Sequence, residues 1–145
     1  VVAEATVGVD AKLVYIQPHM HLRGKDYELR LIFPTGRSET VFKGKWDFEW
    51  QLGYDLADPI AMPVGTRIVT IAHFDNSANN KFNPDPTQEV HWGLQNWEEM
   101  QGSFLGFVVD RNTDISKILK PSGVSLQPRG KSGPALSMLE AGPKK

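Results

Sequence analysis

Cysteine is absent from the chain. That one absence removes disulfide frameworks, thiolate zinc sites, thiol nucleophiles and blue-copper centres together. An excess of one charge is missing too: 16 Lys and Arg stand against 17 Asp and Glu, with no block of like charge that would bind nucleic acid or a membrane surface. No stretch approaches the ~20 apolar residues of a membrane-spanning helix. The opening VVAEATVGVD has neither a basic n-region nor a long apolar core, so the expectation is a soluble mature chain or an excised segment. No Ser-His-Asp order, phosphate-cradling glycine motif or particular carboxylate pair stands out either.

What is present reads as strands. A length of 145 residues suits one domain able to bury its own core. Val2 to Val9 and Lys12 to Gln17 are rich in β-branched and aromatic residues, and Tyr27, Leu29, Leu31 and Phe33 alternate with Glu28 and Arg30, the period of a half-buried strand. PTGR at 34–37 makes a turn, with Pro34 setting φ and Gly36 free to take positive φ. Ser38 to Phe42, Trp46 to Trp50, Thr66 to Phe74 and Ser103 to Val109 continue the series, punctuated by Gly44, Gly53, Pro59, Pro63 and Gly65. The pattern predicts an all-β, antiparallel, jelly-roll-like β-sandwich over residues 1–112. Residues 113–145 read as a short helix over Asp114 to Leu119, capped by Thr113 or Asp114, and an extended tail from Pro121 onward.

Three features bear on chemistry. DNSANNKFNPDP at 75–86 is a long polar loop whose side chains can bond their own backbone. It offers oxygen atoms for Ca²⁺ but lacks the D-x-[DN]-x-[DN]-G spacing. Trp46, Trp50, Trp92 and Trp97 either line a ligand cleft or fill the core. In PHMHLRGK at 18–25, His19 and His21 share one face of a strand at a separation of roughly 6.5 to 7 Å. They can therefore converge on one metal ion, or stand as two polar residues on an outer face. A third ligand has to come from elsewhere, and the candidates are His73 in RIVTIAHF, His91 before Trp92, and Met100 at the end of WEEM.

The motifs HMHLRGK at 19–25, DNSANN with NPDP, and VHWGLQNWEEM at 90–100 resemble, in that order, the C-terminal domain of the copper type II, ascorbate-dependent monooxygenases. Peptidylglycine α-hydroxylating and dopamine β-monooxygenases are the animal members of that family, and the likeness here is to its bacterial-type members. It covers roughly residues 3–110. The resemblance implies that His19, His21 and Met100 are the ligands of one copper ion, with Gly24 and Lys25 matching the residues that follow the histidine pair. In the animal enzymes a disulfide joins the positions of His73 and Gln101; neither cysteine is present, but the pairing implies that the His73 strand runs beside Met100.

Two imidazoles and a thioether suit copper, because the soft sulfur favours Cu(I) while three protein ligands leave a position open. The groups expected to surround the ligands are His73, His91, Glu98 and Glu99, with Glu98, Glu99 or a backbone carbonyl holding the free imidazole N–H. In the family a second, three-histidine copper site in an N-terminal domain supplies an electron for C–H hydroxylation, with ascorbate as reductant. This chain has four histidines, too few for both sites, so hydroxylation by the chain alone is not expected. The expected partner is that missing domain or another subunit, and the expected location, from the family's habit, is periplasmic or secreted. Two other readings stand beside this one: a non-catalytic copper-binding or electron-relay protein, and an accessory scaffold docked to a larger complex through its tail.

Overall fold

The computed structural model describes residues 1–125. Eight strands run in chain order: β1 (Val2–Val7), β2 (Ala11–Met20), β3 (Gly24–Ile32), β4 (Ser38–Lys45), β5 (Tyr54–Met62), β6 (Arg67–Phe74), β7 (Gln101–Val108) and β8 (Leu119–Ser125). They form a five-stranded sheet in the order β4-β3-β6-β1-β8 and a three-stranded sheet in the order β5-β2-β7. Every strand pairing is antiparallel. The protein is thus an antiparallel β-sandwich, and the described residues contain no α-helix. Nor do they contain a helix long and apolar enough to cross a membrane.

Alternation builds the core. Leu13, Ile16 and Met20 of β2 face Tyr27, Leu29 and Leu31 of β3, with Met62, Ile68, Ala72 and Val7 closing the cluster, each large side chain contributing about 1.5–3 kcal/mol of burial. On the opposite face of β3, Glu28 receives Arg30 and Lys43. At the 34–37 turn, Gly36 does adopt positive φ, 85°.

Three segments differ from the pattern read along the chain. Trp46–Trp50 forms a turn, in which Trp50 N–H donates to the Asp47 carbonyl. The strand lies further on, at Tyr54–Met62, where Asp55, Asp58 and Pro59 disguise it. Proline is tolerated there because β5 is an edge strand. Beyond residue 112, a single 3-10 turn at Ile115–Lys117 is capped by Asp114, and Leu119–Ser125 pairs with β1. Residues past 112 therefore add a strand to the larger sheet. The remainder of the expected tail, 126–145, lies outside the described residues.

The connections divide between the two ends of the sandwich. At one end, residues 21–23, 46–53 and 75–100 each cross from one sheet to the other. The other end holds the short connections after β1 and β5 and the segment between β7 and β8.

Candidate metal centre

All three crossings at the first end meet at the histidine pair. His19 lies near the end of β2 opposite Gly102 of β7, and Met20 opposite Gln101 points into the core. Continuing that register sets Met100 opposite His21, and His21 N–H donates to the Met100 carbonyl at 3.3 Å. Opposed residues of an antiparallel pair, and residues two apart on one strand, project from the same face. His19, His21 and Met100 therefore share the outer face of the three-stranded sheet. A Cβ at Gly102 would stand in ordinary contact, 3.9 Å from His19 Cβ and Cδ2.

The two rings lie 5.2 Å apart, centroid to centroid, at 86° to each other. His19 Nδ1 is 2.7 Å from Gln51 Oε1, and His21 Nδ1 is 3.1 Å from the Glu98 backbone carbonyl. Gln51 presents oxygen and not nitrogen to His19, because its Nε2 donates to the Phe48 carbonyl at 3.0 Å. Neither carbonyl oxygen can donate, so each Nδ1 carries the proton. In the neutral ring Nε2 is then a free lone pair. Two Nε2 acceptors on one face, their N–H groups anchored to carbonyls, is the arrangement metal-binding histidines require.

The chain around His21 is held by a buried arginine. Arg23, only 3% exposed, donates from Nε to Asn83 Oδ1 at 2.9 Å and from Nη1 to the Trp97 carbonyl. The 75–86 loop and the 90–99 loop are thereby tied to one side chain. Gly24 N–H closes the turn on the His21 carbonyl at 2.9 Å, and Asp75 N–H donates to the Arg23 carbonyl at 2.8 Å. Gly24 has to be glycine because a Cβ there would lie 2.4 Å from Trp46 Cδ1.

The other expected residues take varied places. His73 is exposed on the five-stranded sheet, its Nδ1 2.5 Å from Asp26 Oδ1. Its strand does pass beside Met100: Gln101 Nε2 donates to Thr70 Oγ1 at 2.6 Å and Asn76 Nδ2 to Glu99 Oε1 at 2.7 Å. His91 is exposed at a cleft of 430 Å³ that also involves Arg23, Asp85, Glu89 and Trp97. Glu98 reaches His21 through its backbone, while its carboxylate accepts from Gln95 N–H at 2.9 Å. Trp50, Trp92 and Trp97 are exposed, whereas Trp46 packs on the core. In the 75–86 loop, side-chain oxygens of Asp75, Asn80, Asn83 and Asp85 accept from backbone N–H groups two residues on. Threonine 87 holds the Asp85 carboxyl below the usual carboxylate range through its hydroxyl and backbone N–H.

Among the described residues no group of three or more His, Cys, Asp or Glu is placed to hold a metal ion. The β2–β7 register, carried one step past Met20 and Gln101, sets Met100 opposite His21. Gln51 is the contributor that sequence reading missed. Its contact with His19 spans 32 residues, and the strand reading of 46–50 hid the turn that delivers it.

No protein-family model, curated protein or solved structure matches this chain.

Proposed function

We propose that this protein is the copper-binding domain of an ascorbate-dependent monooxygenase-type system, with one copper ion held by Nε2 of His19, Nε2 of His21 and the Met100 thioether. The observation that carries the reading is the pair of Nδ1 hydrogen bonds, to Gln51 and to the Glu98 carbonyl, which leaves both Nε2 lone pairs free. A ring separation of 5.2 Å is one that a single ion bonded to each nitrogen at about 2.0 Å can bridge. The order of the HMHLRGK, DNSANN and VHWGLQNWEEM motifs supports the same reading.

When bound by two imidazoles and a thioether, copper would supply Cu(I)/Cu(II) redox chemistry with a position open for a small ligand. The chain's own residues supply the rest. Gln51 and the Glu98 carbonyl fix the tautomer and the direction of each ring. Arg23 holds the two loops against His21.

Hydroxylating a C–H bond with dioxygen puts one oxygen atom into the product and the other into water, which takes up two electrons. A single copper ion would supply one of them. Four histidines are too few for a second, three-histidine centre beside the pair, so on this reading the second electron would come from a redox centre on another domain or subunit, ultimately from ascorbate. On this reading the protein works outside the cytoplasm.

The test is Cu(I) titration of the intact chain and of the His19→Ala/His21→Ala variant, with bound metal read by mass spectrometry. One copper on the intact chain and none on the variant is expected. Equal binding by both, or none by either, refutes the assignment.

A further inference from the structure

A two-sheet sandwich has four edges, and here they are treated unequally. Edge strands display unpaired backbone donors and acceptors, and proteins guard them with charge, proline or irregularity. Strand β4 carries Glu39, Lys43 and Lys45, β5 carries Asp55, Asp58 and Pro59, and β8 carries Lys120 and Pro121. Strand β7, QGSFLGFV, carries neither charge nor proline. Among the described residues it pairs only with β2. Among the described residues, no backbone bond from another element reaches its free side over 101–108.

The outward row of β7 is self-complementary. Gln101 bonds Thr70 and Ser103 bonds Tyr27, so the odd-numbered residues face the other sheet. The outward row is then Gly102, Phe104, Gly106 and Val108, in which Phe104 is 61% and Val108 54% exposed. Small and large residues alternate along it. If two β7 strands pair antiparallel about Leu105, Phe104 falls opposite Gly106 of the other copy and Val108 opposite its Gly102. Each large side chain then covers a glycine, and no charged residue meets its own kind between 101 and 109.

We propose that β7 is a self-association edge, and that two copies of this chain join their three-stranded sheets into one six-stranded sheet with two-fold symmetry about Leu105. A two-fold axis requires the same patch on both subunits, and this row meets that requirement from its own sequence. The shared ladder is ~26 Å long. That places the contact at the small end of specific interfaces. The inference does not depend on copper.

Sedimentation velocity of the full chain without metal, from ~1 to ~300 µM, should pass from monomer to dimer. Phe104→Lys and Val108→Lys replace exposed side chains and leave the core intact; each should weaken the dimer at least tenfold. Because the chain has no cysteine, Lys12→Cys takes a single spin label. Lys12 pairs with Val108, so the label-to-label distance in the dimer should be about 25 Å from strand rise and spacing. A chain that is monomeric throughout, a dimer indifferent to both lysine substitutions, or a distance far from that value overturns the proposal.

Discussion

Replacing Gln51 by alanine removes the acceptor 2.7 Å from His19 Nδ1 without altering any of the three proposed ligands. The direct loss is one partly buried hydrogen bond, about 0.5–1.5 kcal/mol. The imidazole then regains rotamer freedom and access to the other tautomer, which has to be reversed on metal binding and adds about 1 kcal/mol. The total corresponds to a 10- to 100-fold weaker site, the usual cost of losing such an outer contact. The assay is competition between the protein and a chromophoric Cu(I) chelator, run on wild type, Gln51→Ala and Glu98→Gln. Glu98→Gln is the control, because its backbone carbonyl serves His21 while its side chain bonds Gln95 N–H. Its affinity should stay within twofold of wild type. If Gln51→Ala stays as close to wild type, or if Glu98→Gln loses as much as Gln51→Ala, ring orientation by these two carbonyls is not what prepares the site.

Three further outcomes follow from the same structure. Met100→Leu should weaken Cu(I) binding by more than Cu(II) binding, since thioether sulfur prefers the softer ion; equal losses in paired titrations would contradict the assignment of the third ligand. Hydrogen bonds from Arg30 and Arg67 hold the carboxyls of Glu28 and Glu4 below the usual carboxylate range. Their contribution is therefore complete above about pH 4.3 and lost as pH falls through the lower folded values. Urea midpoints should show no loss from these groups between pH 7 and 5 and a decline toward pH 3; a midpoint unchanged at pH 3 would refute it. Gly24→Ala places a Cβ 2.4 Å from the Trp46 ring and should cost about 1–3 kcal/mol in urea unfolding, a value near zero showing that the ring yields freely.

The strands most legible in the sequence were those with one face in the core. Tyr27, Leu29 and Leu31 alternate because β3 packs one side on the opposite sheet, and the structure buries all three. Strand β5 was hidden because an edge strand needs few apolar residues: of Tyr54–Met62, Leu56, Ile60 and Met62 join the core while Asp55, Asp58 and Pro59 break the apolar pattern. The segment Trp46–Trp50 misled in the opposite direction, its aromatics mimicking a strand while Trp46 packs beside Gly24 and Trp50 lies exposed.

His19, His21 and Met100 were nominated by short-range spacing and by motif, both written along the chain. The sequence by itself also determined the all-β class, through a period of two that only a pleated strand satisfies. What tertiary structure alone decided is how the imidazoles are held. Gln51 and the Glu98 carbonyl reach them across 32 and 77 residues, over crossings whose common end depends on the order in which strands assemble into two sheets. A backbone carbonyl leaves no mark on residue identity, and a glutamine contact set by a turn between sheets has no period to betray it.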